Sequence, residues 1–438
     1  ARFVQQMQND FGFRTGHYVN YTMLSPVNPE NWREEWVNID PSGQLNTGGE
    51  VWAYVSKVSR IQEMQAHAGP PRLAAWQPTL SYSDQLTAHP PWRYVDYDAS
   101  TAGAGQFAPV IRTFAKSMKE ERGYCHDGPV LSEGIHQWFY AGFCDSYAQT
   151  TRAWYAAIPN FQLGAPHLLS NDCGFLLDDV VKADNNNPAA TDFVLANEIL
   201  FGNVGHLLGV YQYEPPQTPS LQTLRSYFMI QQLQQYYANE PVEKILYFNG
   251  KDLVPIEKAI PEKSTERGMV YIRYTNGLEI RVNCNPKENW SVQSGGKNYL
   301  LPPNGWVAEL PGKFLEYSAI VDGHRVDFVH GPQYSFFNAN GRTTDFGPIK
   351  TSHAYVIRPE GKITQIIPVP QLAIEEVRLD LKSFRPDLVE KGIEIRPFGA
   401  NGQPLHHTIA DDGKLTFTTV GESERFHLSS GIDWKESE

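Results

Sequence analysis

At 438 residues the chain is long enough for two or three domains, and its 41% hydrophobic, 12% aromatic and 20% charged composition is that of a folded protein, not a disordered or coiled-coil one. A net charge of −12, with no clustered Lys or Arg, excludes a duplex-binding surface, and no apolar run is long enough to cross a bilayer as a helix. The four cysteines, Cys125, Cys144, Cys173 and Cys284, lack the paired spacing of a zinc site. One disulfide among the first three and free buried thiols both fit that pattern.

Read along the chain, "FVQQMQNDFG" predicts a short helix ended at Gly12, and "FRTGHYVNYT" a strand closing at Asn20. The chain opens on Ala1 with no leader, inside a helix-then-strand unit, and reads as a processed or truncated piece of something longer. A loop carrying Trp32 and Trp36 precedes a helix expected around 50–67, and "RLAAWQPTLSYSD" leads to a strand ending near Asp84. A Pro-rich loop over 85–105, a helix over 106–122 and the strand "GPVLSE" follow, then a helix expected over 145–156. "FQLGAPHLLSND" and "DFVLANEILFGNVGHLLGVY" continue the pattern towards a helical stretch near 219–239, with "KADNNNPAATD" as a polar surface loop between them.

Strands alternating with helices of this length predict a mostly parallel sheet of βα units. The fold class expected for residues 1–240 is α/β, the larger part of a (β/α)8-type barrel that is N-terminally incomplete in this chain. From about 243 the texture becomes short alternating strands broken by Asn-Gly and Asp-Gly turns, as in "YTNGLEIRVNCN" and "AIVDGHRVDFVHG". An all-β sandwich over 241–350 and a further β-rich module over 351–438 are expected. Asp322 and His324 of "DGHRVD" read as part of a hairpin turn.

In barrels the reacting groups stand at the C-terminal ends of the strands, where Asn20, Asp84, Glu133 and Asp172 fall. Glu133 follows the apolar run "PVL" and precedes glycine and the aromatic cluster His136, Trp138, Phe139 and Tyr140. A partly dry pocket of that kind raises a carboxyl pKa and keeps it protonated, as a general acid requires. Asp84 and Glu133 on consecutive strands then make the carboxyl pair of glycoside cleavage. Asp96 and Asp98, which project to one side of an extended chain, read either as turn-capping residues or as active-site acids, and Asp96 is an alternative to Asp84 as nucleophile. Asn20, Tyr21, Trp92, Asp96, Asp98, His136, Trp138, Asp145 and Asp172 are the candidate sugar contacts, since carboxylates accept sugar hydroxyls and indoles stack on pyranose faces. No serine elbow, phosphate loop, dinucleotide fingerprint or zinc motif is present.

The stretches "SYSDQLTAHPPWRYVDYDASTAGAGQF" and "GPVLSEGIHQWFYAGFCDS" resemble bacterial glycoside-hydrolase-like proteins, and the layout is similar to glycoside hydrolase family 101, the endo-α-N-acetylgalactosaminidases. The resemblance covers roughly residues 1–330 and implies an α-amylase-type barrel with an aspartate nucleophile after the fourth strand, here Asp84, and a glutamate acid/base after the fifth, here Glu133. "FGFRTGHYVNY" resembles the third strand of such barrels. The separation of 133 − 84 = 49 residues is longer than the family layout implies, and the inserted loop "HPPWRYVDYD" would reshape the site. The N-acetylgalactosamine specificity is therefore not carried over.

The expected activity is retaining hydrolysis of an α-linked glycan: an oligosaccharide, a polysaccharide or a glycoprotein glycan, in an extracellular or periplasmic setting. The chemistry calls for no organic cofactor. A structural calcium ion is compatible with it, but no residue pattern points to one and no metal ligands are assigned. The remaining partner expected is the segment completing the barrel, upstream or on a second chain. The competing expectation is a non-catalytic glycan-binding or surface structural protein that keeps the barrel shape.

Overall fold

The computed structural model describes residues 2–48, 52–134, 136–148, 158–164, 169, 171–173, 188–205, 220–369, 374–389, 393–397, 404–420 and 425–430. The chain forms two compact units, one of Ala1–Arg152 with Phe161–Phe175 and one of Ala153–Asn160 with Leu176–Glu438.

In the first unit the short helix α1 (Arg2–Asn9) precedes a five-stranded sheet of β1 (Gly16–Val19), β2 (Leu80–Thr87), β3 (Val130–Gly134), β4 (Ser146–Ala148) and β5 (Asn171–Cys173). Neighbours lie in chain order and every pairing is parallel, with Tyr18 opposite Tyr82 and Tyr82 opposite Leu131. Right-handed crossovers in such an order place the connecting helices on one face, as in a β/α barrel. A doubly wound sheet instead reverses its strand order. Among the described residues the sheet is open; they do not show a closed eight-stranded barrel.

Burial alternates along the strands. His17, Val19, Ser81, Ser83, Val130 and Ser132 are buried, while Tyr18, Tyr82, Asp84, Leu131 and Glu133 take the other face. The core under the sheet gathers Val19, Ile61, Met64, Val110, Phe114, Met118 and Val130 from the strands and from α2 (Ile61–Trp76) and α3 (Ala108–Tyr124). Two of the buried strand serines have partners for their hydroxyls: Ser132 donates to the Ser83 carbonyl at 2.6 Å and Ser81 to Glu121 at 3.1 Å. Glu121, fully buried on α3, also accepts from Tyr21 at 2.6 Å and Gln65 at 3.2 Å, and stands 3.1 Å from His17 Nε2 and 3.3 Å from Arg72. Burial opposes its charge, but these partners prevail and lower its pKa to about 2.

Two expectations for this unit fail. The helix placed over 50–67 instead spans Ile61–Trp76, so "RLAAW" is helical. Pro70 and Pro71 face solvent inside it, and Gly69 lets α2 lie against the Tyr124 ring of α3, which a Cβ would meet at 2.4 Å. Where a helix was expected from 145, Ser146–Ala148 is a strand in register with Leu131–Glu133.

The second unit includes α4 (Pro188–Phe201) and α5 (Leu221–Ile230), so its helices begin well before the boundary expected at 240. They are pinned by charge: Arg225 on α5 meets Asp327 at 2.6 Å and Asp192 on α4 at 2.6 Å, and Arg325 meets Asp192 at 2.7 Å. A fourteen-stranded sheet runs from Val242–Phe248 through to Phe426–Ser430 and crosses 350 without a break, Ser335–Asn338 pairing with Ala354–Glu360. The expected modules 241–350 and 351–438 therefore share one sheet. A five-stranded sheet that includes Glu376–Asp380 and Lys414–Thr418 contributes Leu379, Leu415 and Phe417 to a core with Phe337, Ile366 and Phe426 of the large sheet, a sandwich arrangement. Asp322 and Gly323 both take positive φ at a hairpin turn.

Candidate active site

Asp84 lies near the C-terminal end of β2, where the strand departs from its register. Ser83 pairs with Ser132 and Thr87 with Gly134, so four residues of β2 span what two of β3 span. Gln85 takes up the excess in a left-handed conformation, φ 61°, strained for a residue with a side chain. The turn aims the Gln85 backbone N–H at the Glu133 carboxyl and leaves Asp84 beside it.

Two donors fix Asp84 from the neighbouring strand and the residue just past its end. The Tyr18 hydroxyl donates to Oδ2 at 2.5 Å and the Asn20 amide donates to the same oxygen at 2.9 Å. Asn20 is held in turn, its Oδ1 accepting from the Thr22 backbone N–H and hydroxyl, each at 2.9 Å. The Tyr18 ring stacks on Tyr82, centroids 5.9 Å apart, and both rings share the open face with the carboxyls.

Glu133 is half-buried on β3 and hydrogen-bonds to Asp84. Burial first, then the Asp84 charge and that hydrogen bond, raise its pKa from 4.5 to about 7, the Gln85 N–H opposing in part. Glu133 is therefore largely protonated below about pH 7. Tyr82 stays protonated, its pKa raised by burial and by both carboxylates. A cavity of about 590 Å³ opens beside Asp84, lined by Tyr18, Asn20, Tyr21, Gln85 and the indoles of Trp36 and Trp52 among others.

Of the sequence-predicted site residues, the fold brings together Asp84, Glu133 and Asn20, with Tyr21 lining the cavity while its hydroxyl serves Glu121. Trp92 and Trp138 are exposed on the loops after β2 and β3. The His136 ring bridges those loops, its Nδ1 lying 3.1 Å from the Ala88 carbonyl. Asp96 and Asp98 are not part of the pair. Asp96 accepts the backbone N–H of Ile39 at 3.0 Å, and Asp98 pairs with Lys57 at 2.6 Å and accepts from Ser100, which holds its pKa well below the ordinary carboxylate range. They brace the loop, the turn-capping role. Asp145 is equally structural: it pairs with Arg122 and accepts the Val130 N–H at 2.8 Å, at the opposite end of β3 from Glu133. Asp172 stands opposite Tyr147 in β5, and its side chain lies outside the described residues.

Sequence reasoning missed Tyr18, Tyr82, Gln85 and His89. Tyr18 on β1 and Asn20 just past its end are spaced as Tyr82 and Asp84 are on β2, a shared periodicity that would have pointed to one face. His89 has its pKa lowered by burial, then by Arg93 and His136, and feels the Asp84 charge. Cys125 is free and buried, Cys284 is free, and the buried Cys144 Sγ lies 3.2 Å from the Val130 carbonyl; the Cys173 side chain lies outside the described residues. Among the described residues no three His, Cys, Asp or Glu side chains converge as metal ligands.

No family model and no curated protein matches this chain. Among solved structures, the α-L-fucosidase isoenzyme 2 of Paenibacillus thiaminolyticus is similar at 9% identity over 97% of this chain and 89% of that one, TM-score 0.41. The family 31 dextranase of Flavobacterium johnsoniae gives 10% identity over 98% and 63%, TM-score 0.42. The α-galactosidase of Thermus thermophilus gives 16% over 60% and 51%, TM-score 0.31. None of these three is a family 101 enzyme. At such scores the overlaps carry no functional argument, which rests on the site itself.

Proposed function

We propose that this protein is a glycosidase that cleaves an α-linked glycan with retention of configuration, Asp84 acting as nucleophile and Glu133 as acid/base. The observation that carries the reading is the contrast within the pair: Glu133 is half-buried and held protonated to about pH 7, beside an Asp84 whose Oδ2 is fixed by two donors. Pairs of titratable groups pushed to different tasks by their surroundings are the signature of acid and nucleophile roles.

In the first step Asp84, through the oxygen not bound by Tyr18 and Asn20, attacks the anomeric carbon as the bond to the leaving oxygen breaks. Glu133 gives its proton to that oxygen. Glu133, now a carboxylate, takes a proton from water; the resulting hydroxide-like oxygen attacks the same carbon and displaces Asp84. Retention is supported by the closeness of the carboxyls. The two stand at the ends of adjacent parallel strands, a placement that suits the roughly 5–5.5 Å of retaining pairs better than the roughly 6.5–9.5 Å that admits a water in inverting ones. The α-linkage is supported by the motif layout shared with family 101, and a glycan substrate fits an extracellular or periplasmic setting. No residue here calls for an organic cofactor.

The test is to trap the intermediate. Incubation with activated fluoro-α-glycosides, followed by peptide mapping, should leave one sugar on the peptide containing Asp84. A label on another carboxylate, or inversion in the first-formed product, would refute the assignment.

A further inference from the structure

On the loops that follow β2, β3 and β4, aromatic rings form a continuous run. Trp92 meets Phe139 edge-on at 6.1 Å and 87°, Phe139 meets Trp138 at 6.1 Å, and Trp138 meets Phe161 at 6.2 Å and 81°. Trp92, Trp138 and Phe161 are 57%, 43% and 67% exposed. Phe139 packs against the core of the first unit and anchors the run, with Tyr140 completely buried beside it. The exposed rings add little to that core, and leaving three large rings together in water is unfavourable unless something covers them.

The loops are braced before any ligand arrives. The His136 backbone N–H donates to the Thr87 carbonyl at 2.9 Å, its ring contacts the Ala88 carbonyl, and the same ring stands 5.3 Å from Trp138. The run is tied to the reacting pair through the strand ends: the Thr87 hydroxyl donates to the Glu133 carbonyl, and the Thr87 carbonyl in turn accepts from the His136 N–H.

We propose that this run is a platform for the successive sugar rings of a glycan chain leaving the Asp84–Glu133 site, so that the substrate is an oligo- or polysaccharide gripped over several residues, not a single terminal sugar. The proposal deepens the glycosidase reading. Rigid indoles and phenyl rings present apolar faces to the C–H faces of pyranoses at small entropic cost, and the adjacent imidazoles offer polar contacts for hydroxyls. Continuity with the carboxyl pair singles out glycan as the occupant.

The test measures binding apart from turnover. The Glu133→Gln chain is titrated, by tryptophan fluorescence and calorimetry, with α-1,4-gluco-, α-1,6-gluco- and α-galacto-oligosaccharides from disaccharide to heptasaccharide, beside the same chain carrying Trp92→Ala or Trp138→Ala. Affinity for at least one series should rise with length, and each tryptophan variant should lose about five- to tenfold for the longest member, with less loss for the shortest. Folding of the variants is checked by circular dichroism, and Trp92→Phe and Trp138→Phe should restore part of the affinity. Binding that does not grow with length, or no binding by any series, overturns the platform. Length-dependent binding in a chain whose unmodified form hydrolyses nothing keeps the platform and refutes the glycosidase reading.

Discussion

Replacing Asp84 by asparagine tests the electrostatics of the pair apart from catalysis. Glu133 has its pKa raised from 4.5 to about 7 by burial, by the Asp84 charge and by the hydrogen bond to it, in that order. Asparagine keeps the volume and a hydrogen-bonding group but removes the charge, so the second contribution disappears while burial remains. A drop of about one unit is the order expected for a like charge at this range, leaving Glu133 between its ordinary value and about 7. At about pH 6 Glu133 is then about nine-tenths protonated in the unmodified chain and about half protonated in the variant. Carbon-13 resonances of selectively labelled glutamate carboxyls, followed with pH, read this directly. The sign also governs stability. Because the folded pKa lies above the unfolded one, the contribution of Glu133 is fully present below about 4.5 and is lost as pH rises through about 7. Asp84→Asn should therefore flatten the decline in melting temperature across that window. A Glu133 that titrates at its ordinary value in the unmodified chain, or a pKa that is unchanged or raised by Asp84→Asn, would refute this electrostatic account.

Other expectations follow from single contacts. Tyr18→Phe deletes the 2.5 Å donor to Asp84 while leaving the ring stacked on Tyr82; kcat/KM should fall roughly 10- to 100-fold, with an unchanged melting temperature separating this from misfolding. Arg225→Met would leave buried Asp327 without its ion-pair partner and Asp192 with Arg325 alone, and should cost the second unit about 3–5 kcal/mol in urea unfolding, whereas pairing it with Asp327→Leu should recover part of the loss. Gly128→Ala would place a Cβ 2.0 Å from the Thr79 carbonyl oxygen at the entry to β3; a loss of about 1–3 kcal/mol by thermal melting is expected, or failure to fold. Glu316 is fully buried, with Trp306 Nε1 donating to it at 2.7 Å and burial pushing its pKa well above the ordinary value. Its stabilising contribution is complete at acid pH and fades as pH rises, so Glu316→Gln should make the melting temperature less dependent on pH.

The sequence reading reached Asp84 and Glu133 because both stand at the ends of short β-like runs, and strand ends are where β/α folds expose polar groups. It left Asp96 open as an alternative nucleophile and took Asp145 for a sugar contact. What distinguishes these two is a partner distant in the chain: Ile39 and Lys57 for the 96–98 loop, Arg122 for Asp145. The second half of α2 was hidden by Gly-Pro-Pro, a stop signal that the chain overrides because both prolines face water and Gly69 receives the Tyr124 ring. β4 was read as helix because three residues carry too little periodicity to declare a strand; its neighbour β3 decides it. The boundary at 240 failed for a similar reason. α4 and α5 look like any βα helices, and contacts distant in the chain, among them the ion pairs of Arg225, Asp192 and Asp327 and the packing of Phe228 on Tyr334 and Phe336, assign them to the β-rich unit. The hairpins after 243 were legible because Asn-Gly and Asp-Gly impose positive φ locally.

The most direct test of the central claim is hydrolysis of a panel of aryl α- and β-glycosides by the unmodified chain, beside Asp84→Asn and Glu133→Gln. The account predicts turnover of at least one α-glycoside, a fall of roughly a thousandfold or more in each variant, and the smallest loss in Glu133→Gln with the best leaving group, which needs least protonation. Turnover that survives both substitutions, or no turnover of any glycoside by a folded, unmodified chain, would contradict it.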